Sequence, residues 1–338
     1  MASRAALILS GGNAKRFQIE GQPWLDKALA PLDGKPLLLH VINNLKNTVD
    51  EIVVCVNDQQ RVSIYRKLIE EYGIGNVEFV VDQRDSQVKG PLLAIVSGLA
   101  AVDANYCLIV PTDMPFLNSK VADYLIEACV GYQTAVPMWP DGTVETLLMA
   151  VERKTCLETA QTLLELNKAN ADAMLRAAES IHFVSPLKEI YRFDPELQSF
   201  VNINSQEDFT SLKTRSTAGL VRDDVCFNRG ELPVIQLHQL REAQKLLDES
   251  RCYEVQNTLA TLAIGFEAKS NYFWAAVSEE KLAEAQLGRG KKAIAKQTYI
   301  RAAENYAKEA TIYEVKGCAT LAARARSDRA FCENKIGV

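Results

Sequence analysis

The sequence has few histidines, no closely paired cysteines and no long hydrophobic run. Only His40, His182 and His238 occur in its 338 residues, and none of its eight cysteines forms a Cys-x-x-Cys pair. The sequence therefore offers few suitable ligands for zinc. The cysteines, most of them inside apolar runs, are predicted to be reduced and buried. No stretch approaches the roughly 18 apolar residues of a membrane helix, and the N-terminus does not resemble a secretory signal. We expect a cytoplasmic protein with no membrane partner.

The sequence also lacks an excess of positive charge. Its net charge of −5 argues against a nucleic-acid partner held by a broad basic face. A small anionic ligand is not excluded, because it needs only a local cluster of donors. The chain is long enough for two domains, and its 48% apolar content is typical of folded proteins.

Residues 5 to about 210 alternate short apolar runs with longer amphipathic segments. The runs "EIVVCV" and "VEFVV" are rich in β-branched residues, whereas "PLLLHVINNL" and "GPLLAIVSGLAAV" have helical length and pattern. Strands that alternate with helices predict an α/β fold with a Rossmann-like, mainly parallel sheet. Ligands of such sheets bind outside the carboxyl ends of the strands.

The pattern changes after about residue 215. Residues 216–232 show no clear period and are predicted to be a linker, and residues 233–338 are predicted to form an all-α domain of four or five helices. Tyr299, Tyr306 and Tyr313 recur every seven residues, which places them on one helix stripe. The composition is similar to tetratricopeptide-like helical hairpins, although a full repeat cannot be aligned. Packing or oligomerisation of the first domain (1–215) and docking of a protein partner are both open roles.

Polar residues follow the predicted strands at several points. Ser10, Gly11 and Gly12 leave the first strand; glycines allow a positive φ and a close approach of backbone N–H groups to an anion, although a plain turn also explains them. Asp113 lies between two prolines after another strand, where it suits either Mg²⁺ or an Asx turn. The pair Asn202 and Asn204 precedes a predicted helix start, and capping alone does not require both asparagines.

In order, these features resemble the molybdenum cofactor guanylyltransferases, the MobA-like branch of the nucleotidyltransferases. The matching segments are "LSGGNAKR", "DKAL", "GKPLLLHVINNL", "KGPLLAIVSGL", "PTDMP" and "NINSQEDF". The resemblance covers residues 5 to about 212 and implies the nucleotidyltransferase fold. The helical second half is not part of the usual family domain.

The resemblance implies a Mg²⁺-dependent transfer of GMP from GTP to the phosphate of molybdopterin or the molybdenum cofactor, with release of pyrophosphate. Arg16, Lys27 and Asp113 would be catalytic, Asp113 would bind Mg²⁺, and Asn202 and Asn204 would contact the acceptor. The nucleotide would be held by a larger set of residues, namely Leu9, Ser10, Gly11, Gly12, Lys27, Asn57, Asp82 and Asp113.

Three departures from the family pattern leave alternatives open, and one of them is Ser205-Gln206-Glu207 in place of the usual Thr-Pro-Glu. The segment between Arg16 and Lys27 is several residues longer than in the family, and Thr146–Leu147 replaces the usual Pro-Leu. The alternatives are CMP transfer to molybdopterin, GMP transfer to cobinamide phosphate or phospholactate, and transfer to a sugar phosphate. A nucleotide-binding regulatory protein without catalysis, with the helices as its docking module, is the alternative of another class. The sequence does not decide between guanine and cytosine.

Overall fold

A computed structural model of the chain describes residues 2–12, 17–18, 24–82, 89–205, 207–209 and 222–336. The strands in this part of the chain are β1 (Arg4–Leu9), β2 (Pro31–Leu32), β3 (Lys35–Pro36), β4 (Glu51–Val56), β5 (Val77–Val81), β6 (Tyr106–Pro111), β7 (Thr134–Pro137), β8 (Met149–Glu152), β9 (Ser180–Val184) and β10 (Val225–Asn228). All except the β2–β3 ribbon belong to one eight-stranded sheet in the order β10-β9-β7-β8-β6-β1-β4-β5.

Helices alternate with most of the strands up to β10, and α8–α12 then follow one another. They are α1 (Leu37–Leu45), α2 (Gln59–Glu71), α3 (Pro91–Ala101), α4 (Ser119–Ala128), α5 (Arg153–Glu165), α6 (Ala171–Ala177), α7 (Tyr191–Phe193), α8 (Val234–Asp248), α9 (Gln256–Ala268), α10 (Tyr272–Gly288), α11 (Lys292–Val315) and α12 (Ala319–Ile336). None of these described helices combines the length and apolar character needed to cross a bilayer.

The half of the sheet that carries the site is parallel. Strand β1 pairs in parallel with both β4 and β6, and β5 extends the parallel set beyond β4. The central strands read as continuous apolar runs because both faces of the sheet are covered, so no alternation of polar and apolar residues is needed. Antiparallel pairs occur where β8 lies between β6 and β7 and where β10 joins β9. The predicted α/β fold with a mostly parallel sheet and a helical C-terminal region is confirmed.

The two faces of the sheet have separate hydrophobic cores. Helices α1, α2 and α4 cover one face, whereas α3, α5 and α6 cover the other. The core on this second face continues without interruption into helices α8–α12. Strand β10 comes from the segment predicted to be a linker and forms the edge of the sheet. The division of the chain at 215 and 233 remains a prediction.

Helix α10 is the centre of the helical region. It is buried along most of its length, and the indole N–H of Trp274 donates to the carbonyl oxygen of Ala177 at the end of α6 (3.1 Å). The predicted tyrosine stripe of α11 is buried, with Tyr306 donating to Glu280 of α10. The tyrosines thus share one buried stripe, as the seven-residue spacing predicted, and Tyr306 links α11 to α10.

A buried arginine joins α6 to the last two helices. Arg176 donates through Nε and Nη2 to the two carboxylate oxygens of Glu309 (2.9 and 2.6 Å) and through Nη1 to Asp328 (2.6 Å). The side chains of Arg176 and Glu309 are each only 3% exposed. A planar guanidinium is suited to this two-pronged contact, which connects the sheet layer to α11 and α12.

Candidate functional site

The carboxyl ends of β1, β4, β5 and β6 open into a cavity of about 1010 Å³. A strand that ends at this edge delivers its next residues into the cavity, so segments far apart in sequence meet there. Most of the residues predicted from sequence line it, namely Leu9, Ser10, Gly11, Gly12, Lys27, Asn57, Asp82, Asp113 and Asn204. Asn202 does not line the cavity; its amide donates to the carbonyl oxygen of Phe200. Arg16 lies outside the described residues.

The loop after β1 begins by continuing the hydrogen-bonding pattern of the sheet. Ser10 continues the ladder by donating its N–H to the carbonyl oxygen of Cys55 (2.8 Å). Neither Gly11 nor Gly12 has a φ in the left-handed region, so the positive φ that glycine allows is not used in this loop. A side chain at Gly11 would instead project toward Asp82 and Asn57, where a Cβ would lie 3.5 Å from the Asp82 carboxylate. The glycine keeps this part of the cavity open.

Lys27, Asp113 and Asn204 form one polar cluster. The Lys27 ammonium donates to Oδ2 of Asp113 (2.8 Å) and to Oδ1 of Asn204 (3.3 Å). The Ile203 N–H donates to the Asp113 carbonyl oxygen (2.9 Å), which holds the segment around Asn204 beside the end of β6. The cluster is partly shielded, with the Lys27 and Asp113 side chains 14% and 21% exposed.

The donor set of this cluster fits a magnesium ion shared with a substrate. Oδ1 of Asp113 is buried and has no hydrogen-bond partner among the described residues. Mg²⁺ takes one or two carboxylates and completes its shell with water and phosphate oxygens. The described residues contain no group of three or more acidic, histidine or cysteine side chains that would enclose a metal by themselves. Asp113, with the Asn204 amide oxygen nearby, therefore suits Mg²⁺ better than zinc.

Asp82 is a second carboxylate with an unsatisfied oxygen. Its Oδ1 is buried without a hydrogen-bond partner in the described part of the chain, and burial raises the pKa of Asp82 from 3.8 to about 6. A carboxylate that lacks donors in the folded protein can accept them from a ligand at low desolvation cost. Asp82 is therefore available to a group that presents N–H donors to this end of the cavity.

We expect Asp82→Asn to make the stability of the folded protein depend less on pH. Because the pKa is raised, the protonated carboxyl favours the folded state; this stabilisation is complete below about pH 4 and is lost as pH rises through about 6. The variant should melt at a higher temperature than wild type at pH 8, and the difference should shrink toward pH 4. Thermal unfolding across this range measures it, with Glu71→Gln at the exposed end of α2 as control. A difference that is constant with pH would contradict the assignment.

Residues that sequence reasoning missed surround the same loop. Arg61 and Asp26 line the cavity, and Tyr65 donates to Asp26 behind it (2.8 Å). Lys89 and Gly90, just before α3, line the opposite wall. The family-like "KGPL" segment pointed to Gly90 as a helix start, whereas an arginine and a tyrosine inside α2 looked like ordinary residues of an amphipathic helix.

Gly90 is required by a close approach of two backbone segments. A Cβ at this position would lie 2.5 Å from the carbonyl oxygen of Ala169, which also accepts the N–H of Leu92. We expect Gly90→Ala to lower the free energy of unfolding by about 1–3 kcal/mol, the usual cost of overpacking. Urea denaturation measures this, and Gly75→Ala, which meets open space, is the control. Equal stabilities of the two variants would contradict the packing argument.

Comparison with known proteins places the chain in a family. The profile of the MobA-like NTP transferase domain matches residues 6–181, more than half of the chain. The chain belongs to this family. It is therefore a nucleotidyltransferase, and the family predicted from the sequence motifs is confirmed.

Relatives of the chain in this family carry a more specific name. A probable molybdenum cofactor guanylyltransferase of Methanosarcina acetivorans is 33% identical over 211 residues, which cover 62% of this chain and 90% of the relative. The molybdenum cofactor guanylyltransferase of Shewanella frigidimarina is 29% identical over 210 residues, 62% of this chain and 95% of its own. Among solved structures, molybdopterin-guanine dinucleotide biosynthesis protein A of Archaeoglobus fulgidus matches with a TM-score of 0.49 and 22% identity, over 61% of this chain and 95% of that one.

Proposed function

We propose that this nucleotidyltransferase moves GMP from GTP to the terminal phosphate of molybdopterin or its molybdenum-bearing form, and that it uses Mg²⁺. The observation that supports the proposal is the meeting of Lys27, Asp113 and Asn204 beside the Ser10–Gly12 loop in one cavity. The names of the relatives support the choice of nucleotide and acceptor.

The proposed reaction needs positioning and charge neutralisation more than a protein nucleophile. An oxygen of the acceptor phosphate attacks the α-phosphorus of GTP, the bond between the α-phosphorus and its bridging oxygen breaks, and pyrophosphate leaves. The acceptor phosphate is already a nucleophile, so the reaction requires no histidine, cysteine or tyrosine, and the described residues that line the cavity include none. Lys27 and the N–H groups of the loop stabilise the negative charge of the phosphates.

Mg²⁺ would be held by Asp113, with Asn204 beside it, and when bound would supply further neutralisation of the phosphate oxygens. Lys27 keeps the Asp113 carboxylate turned into the cavity through its hydrogen bond to Oδ2. Oδ1, which has no hydrogen-bond partner in the described residues, is then left for the cation. Arg16, from the segment before Lys27, is proposed to contact the triphosphate and Asn204 to contact the acceptor, whereas Asn202 lies outside the cavity lining.

The proposed base preference rests on Asp82 and Asn57, which line the cavity after β5 and β4. Guanine presents two adjacent donors, N1–H and the N2 amino group, and a carboxylate can accept from both in a charge-assisted contact. Cytosine offers a single amino donor on the corresponding edge. The unsatisfied Asp82 oxygen therefore favours GTP over CTP.

A screen of pyrophosphate release tests the proposal. The full chain is incubated with molybdopterin, Mg²⁺ and one of GTP, CTP, ATP or UTP; release is expected with GTP and not after chelation of the metal. Parallel reactions replace molybdopterin by cobinamide phosphate, phospholactate or a sugar phosphate. Release that requires CTP, or one of these other acceptors, would contradict the proposed substrates while leaving the family assignment intact. The cytoplasmic location and a protein partner of the helical region remain predictions.

A further inference from the structure

Arg61 on α2 is buried directly behind the loop that follows β1. Its Nη1 donates to the carbonyl oxygen of Ser10 (2.5 Å) and its Nη2 to that of Gly12 (3.3 Å). The residue is only 6% exposed. Both prongs of one guanidinium thus hold two carbonyl groups of the same short loop.

The hydrogen bonds from Arg61 to these carbonyl groups also determine where the backbone N–H groups of the loop point. In a trans peptide the C=O and N–H groups point in opposite directions. When the Ser10 carbonyl points toward Arg61, the N–H of Gly11 points away from it and is left for a ligand. The Gly11 N–H can then donate to an anion, and the positive charge of Arg61 directly behind the loop adds to that attraction.

The same arginine reaches the turn that carries Lys27. Its Nε lies 3.3 Å from Oδ2 of Asp26, which also accepts the hydroxyl of Tyr65 (2.8 Å). Oδ1 of Asp26 accepts the N–H of Ala28 (3.1 Å) and so fixes the backbone on both sides of Lys27. The Tyr65 hydroxyl is also 3.0 Å from the Ser10 hydroxyl. Helix α2 therefore holds the loop and the lysine turn through one hydrogen-bonded network.

We propose that Arg61 is a positioning residue for the transfer reaction. It holds the Ser10–Gly12 loop directly, and the Lys27 turn through Asp26, in the arrangement that binds the triphosphate. This inference rests on the proposed function, because it takes the ligand of the cavity to be a nucleoside triphosphate. It concerns the phosphate part of that ligand and not the base.

The test compares binding of the phosphate part with binding of the base. GTP, tripolyphosphate and guanosine each displace a fluorescent GTP analogue from the full chain. Arg61→Lys keeps the positive charge but loses the two-pronged guanidinium. It should weaken the binding of GTP and of tripolyphosphate about 10- to 100-fold, the effect of losing hydrogen bonds to a charged group. Guanosine binding should be unchanged. Arg66→Gln, an exposed arginine on the same helix, is the matched control and should leave all three affinities unchanged.

The outcomes separate the inference from the proposed function. A wild-type protein that binds neither GTP nor tripolyphosphate would contradict both. Normal tripolyphosphate binding by Arg61→Lys, or an equal loss for guanosine and tripolyphosphate, would overturn the positioning role alone. If Arg61→Lys does not fold, Tyr65→Phe removes the hydroxyl that contacts both Asp26 and Ser10 and should weaken tripolyphosphate binding about 3- to 10-fold; unchanged binding by Tyr65→Phe would then overturn the inference.

Discussion

Replacement of Asp113 by alanine is expected to slow pyrophosphate release from GTP by about 100- to 1,000-fold, and replacement of Lys27 by about as much. Asp113 presents a buried oxygen without a partner in the described residues, and Lys27 is hydrogen-bonded to its other oxygen. Because the proposed catalysis consists of charge neutralisation at the phosphates, the loss of either group removes stabilisation that develops in the transition state. The effect should fall on the rate of the chemical step.

Single-turnover measurements at saturating GTP separate this effect from weakened binding. Asp103→Ala is a suitable control, since this exposed acid precedes β6 at the opposite end of the strand that Asp113 follows. The Lys27→Ala/Asp113→Ala double variant should be less impaired than the product of the two single effects, because the two side chains contact each other. Near wild-type rates in both single variants would refute the proposed mechanism.

Replacement of Arg176 by glutamine is expected to lower the free energy of unfolding by about 3–5 kcal/mol. The change leaves the buried Glu309 carboxylate without its positive partner, and an uncompensated buried charge is costly. Equilibrium denaturation in urea measures the loss. Breaking the half-exposed pair of Arg326 with Glu314 by Arg326→Gln should cost no more than about 1 kcal/mol.

A double variant tests the cause of this loss of stability. Replacing both Arg176 and Glu309 by apolar residues of similar volume removes the two buried charges together and should recover much of the stability, because the acid that remains, Asp328, is 30% exposed and can be solvated. A loss of less than about 1 kcal/mol for Arg176→Gln would show that water or another group satisfies Glu309. It would contradict the structural role given to this ion pair.

The position of the site could be predicted from sequence because it depends on strand order and polarity. Parallel strands bring their carboxyl ends to one edge, so the polar residues after β1, β4, β5 and β6 had to meet. Lys27 and Asn204 lie on no strand of the large sheet, and they were predicted only through the family resemblance. In the structure Lys27 donates to both Asp113 and Asn204 and so joins them in one cluster.

Other features depend on contacts that local pattern does not encode. Arg61 is buried because it binds carbonyl groups of a loop about 50 residues earlier in the chain, whereas its helix position alone suggests a partly solvated cation. The strand β10 in the predicted linker is stabilised by pairing with β9, and four residues carry too weak a period to reveal it. The periodicity of α8–α12 predicted apolar faces but not that the sheet layer would cover one of them.

The ion pairs of Arg176 have a consequence for the order in which the chain is synthesised. Asp328 follows Arg176 by 152 residues, which a ribosome adds in about 10–30 s. Through this interval the emerging sheet carries an arginine whose final partners have not yet been made, and the apolar face around it awaits α10–α12. A chaperone that shields this face during translation should therefore raise the yield of the full-length protein. A chain that ends before α11 would keep Arg176 without either of its acidic partners and would leave uncovered the apolar surface that α11 and α12 bury.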